Sequence, residues 1–116
     1  MSESPSSAGV SNVDAATAIA HHRTGVPIID VREADEWRAG HIPGALHLPL
    51  DRLTPGAVPS RGPVLVICRS GGRSTKAAQA LAATGVEVGN VVGGMTAWAA
   101  IGGPMETGTG RTPTVA

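Results

Sequence analysis

The sequence predicts an α/β fold: a small doubly wound parallel sheet with helices on both faces. Short β-branched apolar runs alternate along the chain with alanine-rich segments that favour helices. The clearest run, Val64–Ile67, contains no polar residue and is followed by a helix-forming segment over residues 75–83. Such a run is typical of a strand that is buried on both faces, as strands of parallel sheets are.

The amino-terminal part of the chain predicts a tail, a helix, a strand and a second helix. Residues 1–10 are polar and rich in Ser, so we expect them to be disordered. The stretch Ser11–Asp14 has the spacing of a capping box and predicts a helix that ends near Arg23. Residues 26–32 are mostly apolar and predict a strand, whereas residues 33–39 predict a short helix with acidic residues at its amino end.

The rest of the chain completes one domain, expected over residues 11–103. Pro49 cannot donate a ladder hydrogen bond, which indicates that its strand lies at an edge of the sheet. From residue 104 onward Gly, Thr and Pro are frequent, so we expect residues 104–116 to form a flexible tail. The remaining predicted elements are, in order, a strand over 45–50, a surface connection over 51–60, a strand over 86–92 and a helix over 96–100.

Composition argues against several classes of function. The 116 residues include nine Lys and Arg against nine Asp and Glu, a balance that favours neither nucleic acid nor an anionic membrane as a partner. No apolar run approaches the length that spans a bilayer, and the polar amino terminus lacks the features of a secretory signal. The single cysteine excludes an internal disulfide. We therefore expect a cytoplasmic protein.

The histidines and tryptophans have ordinary structural interpretations. Adjacent helical positions point in different directions, so we expect His21 and His22 to be solvated helix-end residues rather than metal ligands. His41 lies beside two turn glycines and could be a general base, but we expect it to hydrogen-bond backbone. Trp37 is expected in the core. No metal or cofactor is expected, because one cysteine and four scattered histidines do not supply the ligands of a zinc site.

The candidate active site is the loop that follows Val64–Ile67, with the sequence Cys68-Arg69-Ser70-Gly71-Gly72-Arg73-Ser74. Cys68 is predicted to lie between the carboxyl end of a strand and the amino end of a helix, where ligands of doubly wound sheets bind. Two glycines allow a tight loop whose N–H groups point inward, and two arginines flank it. Helix end, guanidinium groups and N–H groups would each lower the pKa of the thiol, which indicates a reactive thiolate in an anion-binding cradle.

Four further residues are candidates for a supporting role around this loop. Asp30 and Arg32 follow a buried strand, where their charges need partners, so they either brace the site from beneath or form a structural ion pair. Ser74 ends the loop. Trp98 is expected in the core, and its alternative position is a wall of the active-site mouth.

Four blocks of sequence, in this order, resemble the rhodanese (thiosulfate sulfurtransferase) family, single-domain type. The blocks are Ile29–Glu33 with Glu36 and Trp37, Gly40–Ala45, Cys68–Ser74, and Gly93–Met95 with Ala97 and Trp98. The resemblance covers most of residues 11–103, and the loop matches the Cys-x-x-Gly-x-Arg pattern of active members. Gly72 stands where many members have a charged or polar residue.

The resemblance implies a rhodanese-like fold with Cys68 as the sulfur-carrying nucleophile. The anion-holding loop would then comprise Arg69, Ser70, Gly71, Gly72 and Arg73. The expected reaction moves a sulfane sulfur from thiosulfate or a related small anionic donor, through a Cys68 persulfide, to a thiophilic acceptor. That acceptor is cyanide in vitro and a thiol or a protein in the cell, and the reaction needs no cofactor or metal.

Two alternatives stay open. Cysteine phosphatases and arsenate reductases are disfavoured, because the phosphatases require five residues between the cysteine and the arginine, whereas here Ser74 stands at the sixth position and Arg73 comes one earlier. A non-catalytic rhodanese-like binding or regulatory module typically lacks the cysteine or the arginines. This chain keeps Cys68, Arg69 and Arg73, which favours an enzyme.

Overall fold

The computed structural model describes residues 9–58 and 62–116, which form an α/β domain. None of the helices in these two ranges is long and apolar enough to cross a bilayer. The elements are β1 (Val10–Val13), α1 (Ala15–Arg23), β2 (Ile28–Asp30), α2 (Ala34–Ala39), β3 (Leu46–His47), two 3-10 turns (Leu50–Arg52 and Pro55–Ala57), β4 (Val64–Ile67), α3 (Gly72–Ala82), β5 (Val88–Val91) and α4 (Gly94–Ala100).

The strands form one parallel sheet in the order β1-β5-β4-β2-β3, which confirms the predicted fold class. In the register, Val66 of β4 faces Ile29 of β2 on one side and Asn90 of β5 on the other. The strand before Pro49 is indeed an edge strand, β3. Since all strands run in the same direction, their carboxyl ends meet at one rim of the sheet, and Cys68 follows β4 at that rim.

Helices cover both faces of the sheet. Alternate residues of β4 point to opposite faces, so Val64 and Val66 pack in the core cluster with α3, whereas Leu65 and Ile67 pack in the cluster with α1 and α4. All four side chains are buried. Full burial of each such side chain stabilises the fold by roughly 1.5–3 kcal/mol. The middle strand of the sheet, β4, therefore contributes strongly to the free energy of folding.

The amino-terminal prediction was wrong in its detail. Val10 is not part of a tail but begins the edge strand β1, which pairs with β5. The helix starts at Ala15, and Asp14 is its N-cap, because the Asp14 carboxylate accepts a hydrogen bond of 2.8 Å from the Thr17 N–H. Strand β1 has only two apolar residues, so its pairing with β5 rather than its own pattern sets its structure. Residues 1–8 lie outside the described residues, as do residues 59–61 of the predicted surface connection.

The carboxyl-terminal segment also differs from the expected flexible tail. Glu106 forms an antiparallel bridge with His41, and the Thr114 N–H donates a 2.9 Å hydrogen bond to the Ala39 carbonyl. Met105 and Val115 pack against the core cluster that contains Trp98. Composition does not reveal this, because the segment is anchored by backbone bonds and by two isolated apolar side chains.

Gly40 lets this segment approach. A Cβ at Gly40 would lie 2.6 Å from the Thr114 carbonyl oxygen and 2.9 Å from the end of Met105, closer than real Cβ atoms come. A side chain at position 40 would therefore push the segment away from the end of α2.

Candidate active site

Cys68 lies between β4 and α3, as predicted. Its side chain is buried, and the Gly71 N–H donates a 3.0 Å hydrogen bond to the Cys68 Sγ. Gly71 is the N-cap of α3 and has a φ of 124°, a backbone conformation that L side chains rarely adopt. The helix therefore starts at Gly72, three residues before the helix-forming segment predicted over residues 75–83. As a result the sulfur faces the amino end of an eleven-residue helix.

The pKa of the Cys68 thiol is lowered from its ordinary value of 9.0. Burial is the largest single influence and raises the pKa, but hydrogen bonds outweigh it. These bonds come from the Ser74 side chain and from the N–H groups of Ser74, Gly71 and Ser70. Each donor favours the thiolate, which is the nucleophilic form. The prediction of an activated thiol is therefore supported by the geometry of the loop.

The amino end of α4 holds the loop from behind. The Met95 N–H donates to the Cys68 carbonyl at 2.8 Å, and the Thr96 N–H donates to the Arg69 carbonyl at 3.0 Å. A Cβ at Gly94 would lie 2.3 Å from that Cys68 carbonyl oxygen, so only glycine allows this approach. With both carbonyls bound to α4, the loop is fixed in the orientation that aims its N–H groups at the sulfur. The Gly93-Gly94-Met95 block was noted in the sequence, but this role was not.

Ser74 belongs to a buried polar network that also contains a residue missed in the sequence. The Ser74 Oγ lies 3.3 Å from the Cys68 Sγ and 2.6 Å from the Asn90 Oδ1 on β5. The Asn90 amide nitrogen in turn donates to the Thr75 Oγ1 at 3.3 Å. The available signal for Asn90 is a polar residue in a buried strand beside β4. Ser74 therefore contacts the Cys68 sulfur directly, whereas Asn90 is linked to it through Ser74.

Arg73 forms an ion pair that the sequence analysis did not predict, and its charge also interacts with Cys68. Its guanidinium forms a bidentate ion pair with Glu36 of α2, with N···O distances of 2.6 and 2.8 Å. The backbone of Glu33 orients the carboxylate, because the Glu33 N–H donates to the Glu36 Oε1 at 2.9 Å. Arg73 thus ties the start of α3 to α2, and part of its charge is neutralised.

We expect Glu36→Gln to lower the free energy of unfolding at pH 7 by on the order of 2 kcal/mol, less than the full pKa shift implies because solvent screens the half-exposed Arg73. Hydrogen bonds from Arg73 lower the pKa of Glu36 from 4.5 to about 2. The ion pair is therefore fully present above pH 4.5, and its stabilisation is lost as the pH falls toward 2. Urea unfolding from pH 7 to pH 2 should show the difference between variant and wild type closing in that window.

Glu87→Gln is the matched control, since Glu87 is exposed and makes no ion pair with another described residue. A difference between Glu36→Gln and wild type that stays constant down to pH 2 would contradict the ion pair as the source of the stability.

The exposed members of the loop are Arg69, Ser70 and Gly72. The Arg69 guanidinium forms no hydrogen bond or ion pair with any residue in 9–58 or 62–116, so its charge is available to a ligand. No atom lies within 4 Å of the Cβ position of Gly72, so a larger side chain would fit there. Across the same two ranges, no three His, Cys, Asp or Glu side chains come together to hold a metal ion.

Residues 13–101 match the family model described as Rhodanese-like domain. The chain belongs to this family. A solved structure of the rhodanese-like domain of the Anabaena sp. protein Alr3790 superposes with a TM-score of 0.76 at 29% identity, covering 90% of this chain and 86% of that one. The protein RPA3614 of Rhodopseudomonas palustris, of unknown function and described as a possible tyrosine phosphatase, gives 0.73 at 27% identity and covers 91% and 96% of the two chains.

Two relatives of this rhodanese-like domain come from Bacillus subtilis. The protein named "Putative sulfur carrier protein YrkF" is 40% identical over 74 residues, which cover 61% of this chain and 40% of YrkF. The protein named "Putative sulfurtransferase YtwF" is 38% identical over 78 residues, which cover 61% and 71% of the two chains. The chain spans between 40% and 59% of the length of three of the curated relatives it matches.

In this rhodanese-like domain Asp30 and Arg32 form a structural ion pair. Both side chains are fully buried, with an N···O distance of 2.8 Å, and Arg32 also donates to the Gly40 carbonyl at 2.8 Å. The pair stands beside Cys68 at the rim of the sheet, because Asp30 is in register with Ile67. It therefore joins β2 to the end of α2 and makes no hydrogen bond to the loop.

The aromatic residues and histidines divide into confirmed and corrected predictions. Trp98 is fully buried in the core, as expected, and donates to the Pro104 carbonyl at 2.9 Å. His41 binds backbone, as expected, through its Nδ1 and the Trp37 carbonyl at 2.8 Å. Trp37 is not a core residue but half-buried, stacked between the rings of His41 and His47 at 3.8 and 4.7 Å.

His21 is exposed, as expected, whereas His22 is half-buried and not the solvated residue that was expected. The His22 Nε2 lies 2.9 Å from the Pro43 carbonyl oxygen, and its ring meets the edge of Trp98. His22 therefore packs the last turn of α1 against Trp98 of the core.

Proposed function

We propose that this domain is a sulfurtransferase, which moves a sulfane sulfur from thiosulfate or a related small anionic donor to a thiophilic acceptor. The observation that carries the proposal is the Cys68 sulfur, buried at the carboxyl end of β4 and surrounded by hydrogen-bond donors that lower its pKa. The family and the names of the relatives support the same chemistry.

The first step loads the cysteine. The Cys68 thiolate attacks the outer sulfur of thiosulfate, a new S–S bond forms, and the bond to the central sulfur breaks so that sulfite leaves with the electron pair. The product is a Cys68 persulfide anion and sulfite, so charge and atoms balance. The N–H groups of the loop and the amino end of α3 offer donors for the persulfide anion.

The second step returns the enzyme to its starting state. An acceptor nucleophile attacks the terminal sulfur, the S–S bond breaks, and the Cys68 thiolate leaves with the bonding electrons. With cyanide the product is thiocyanate, and with a thiol or a protein thiol it is a new persulfide. Arg69 is the exposed cation at the site and is suited to attract an anionic donor, whereas Arg73 is bound to Glu36 and holds the loop in place.

A phosphatase is disfavoured by the same contacts. Tetrahedral phosphoryl groups require a ring of donors closed by an arginine at the sixth position after the cysteine, where this chain has Ser74. Arg73, one position earlier in the loop, is bound to Glu36. A binding module without activity would need neither the lowered thiol pKa nor the donors around it.

Mass spectrometry of the intact protein after thiosulfate treatment tests the proposal. The protein should gain one sulfur atom, and cyanide should then remove it. The assignment is unambiguous because Cys68 is the only cysteine of the chain. A thiol that stays unmodified at saturating thiosulfate would overturn the proposed activity and favour the binding module.

We expect Arg69→Ala to slow sulfur loading from thiosulfate by about tenfold, since it removes the exposed positive charge of the residue that follows Cys68. The rate of persulfide formation at low ionic strength measures the effect, and salt should reduce it. Arg23→Ala is the matched control: it removes an exposed arginine and the same net charge at the end of α1. Equal rates for the two variants would contradict a local role of Arg69.

A further inference from the structure

We propose that Asn90 is a positioning residue, which acts through Ser74 by deciding whether the Ser74 hydroxyl proton points at the Cys68 sulfur. The inference rests on the proposed function, because it takes Cys68 as the reacting group. Asn90 itself makes no hydrogen bond to Cys68, so any effect it has on the sulfur passes through the Ser74 hydroxyl.

The Ser74 hydroxyl has fewer protons to donate than it has neighbours that can accept one. A hydroxyl group has one proton to donate and two lone pairs. Three groups lie within hydrogen-bond distance of the Ser74 Oγ: the Asn90 Oδ1 at 2.6 Å, the Gly71 carbonyl oxygen at 3.2 Å and the Cys68 Sγ at 3.3 Å. Neither oxygen can donate, and the sulfur can donate only as a thiol. Once Cys68 is a thiolate, Ser74 therefore has one proton for three acceptors. The shortest of the three distances leads to Asn90.

Thr75 fixes which end of the Asn90 amide faces Ser74. The Thr75 hydroxyl donates to the Gly71 carbonyl at 2.7 Å, so its oxygen can only accept from Asn90. The Asn90 nitrogen is the donor in that 3.3 Å contact, which leaves the Asn90 oxygen toward Ser74. A flipped amide would place two lone pairs against each other at Thr75. Both Ser74 and Asn90 are buried, so bulk water does not replace these bonds.

The consequence depends on the state of Cys68. In the thiol form every group is satisfied: the sulfur donates to Ser74, and Ser74 donates to Asn90. In the thiolate form the sulfur competes with Asn90 for the one Ser74 proton. Turning that proton to the sulfur leaves the buried Asn90 oxygen without a donor, which is unfavourable. Asn90 therefore withholds the Ser74 proton from the thiolate.

The same competition affects both steps of sulfur transfer. Once the persulfide forms, the Cys68 Sγ is neutral, and Ser74 keeps its bond to Asn90 without a penalty. Release of the thiolate in the second step then requires the proton again. Asn90 thus favours the sulfur-loaded state over the free thiolate, and an acceptor must be a strong nucleophile to unload it.

Replacing Asn90 should leave the charged groups near the sulfur unchanged. Arg69 and Arg73 lie on the loop and α3, Glu36 on α2 pairs with Arg73, and the Asp30–Arg32 pair ends β2. Helix α4 has no charged residue. None of these groups contacts Asn90 by a hydrogen bond, so replacing Asn90 leaves them in place.

The experiment follows the rate of iodoacetamide alkylation against pH in the full chain. Asn90→Leu, which has the same branching with two methyl groups in place of the amide oxygen and nitrogen, removes the acceptor and should free the Ser74 proton for the thiolate. We expect the midpoint of the alkylation rate against pH to move about one pH unit lower, which corresponds to a tenfold change in the thiolate-to-thiol ratio. In a Ser74→Ala background, which alone should raise the midpoint, the same Asn90→Leu change should have no effect. Cys68 is the only thiol, so alkylation reports it alone.

A lower midpoint that disappears without Ser74 supports the proposal. A midpoint that is unchanged or higher in Asn90→Leu overturns it, and so does an equal shift in both backgrounds, which would mean that the substitution only loosens the loop. Asn90→Val removes the same acceptor with a side chain suited to a strand and replaces Asn90→Leu if circular dichroism shows that variant unfolded. Alkylation needs no sulfur donor, so this result is independent of whether thiosulfate loads the protein.

Discussion

Cys68→Ser should abolish sulfur transfer from thiosulfate to cyanide, with a loss of at least about 10³-fold. The serine hydroxyl stays protonated at neutral pH and is a weak nucleophile without a base, and it cannot carry a persulfide. The fold should be kept, because the replacement is nearly isosteric and the serine oxygen can still accept from the Gly71 N–H. Steady-state production of thiocyanate, with circular dichroism on the same samples, measures both.

The mass of the same variant after thiosulfate treatment is the control for this result. Cys68→Ser has no thiol, so its mass should stay unchanged, and any remaining sulfur uptake would reveal a site other than the nucleophile. Turnover that survives in the folded variant would contradict the persulfide mechanism.

The centre of the fold and the position of Cys68 could be predicted from the sequence because their signals are local. Strand β4 was predicted with its observed ends, since its four apolar residues are too short a run for a helix and follow Gly62-Pro63. The loop after it contains its own helix N-cap, Gly71, next to the cysteine. The parallel arrangement of β2 to β5 followed from the alternation of strands and helices, whereas β1 was not predicted.

The supporting contacts could not be predicted, because each joins residues that are far apart in the chain. Arg73 and Glu36 are 37 positions apart, and nothing in either segment indicates the partner. Asn90 lies 16 positions from Ser74 and looks like an ordinary strand residue until β5 is placed beside β4. The same holds for β1, whose structure depends on its pairing with β5. Local pattern sets the elements, whereas the partners of polar groups are set by their packing.

The carboxyl-terminal segment was misjudged for a related reason. A composition of Gly, Thr and Pro predicts little burial, and most residues of 104–116 are indeed exposed. The segment is nevertheless held through its backbone, by bonds to His41 and Ala39. Hydrogen bonds between backbone groups do not require particular side chains, so the sequence does not indicate them.

Gly94→Ala should destabilise the fold and also disturb the cysteine loop. The new Cβ would lie 2.3 Å from the Cys68 carbonyl oxygen and 2.6 Å from that of Arg69, and position 94 has a φ of 56°. The left-handed conformation costs alanine roughly 1–2 kcal/mol, and relieving the overlap adds roughly 1–3 kcal/mol. We expect a total loss of roughly 2–5 kcal/mol in the free energy of unfolding, measured with urea.

Activity should fall as well, because α4 would have to move away and release the carbonyls of Cys68 and Arg69. A loop that is no longer held presents its N–H groups less well to the sulfur. The midpoint of Cys68 alkylation against pH should therefore rise toward the ordinary pKa of a thiol. Gly25→Ala is the matched control, since Gly25 has a φ of 91° but no atom within 4 Å of its Cβ position. It should cost only the conformational part, roughly 1–2 kcal/mol, and leave the midpoint unchanged. Equal effects of the two substitutions on the midpoint would show that α4 does not position the loop.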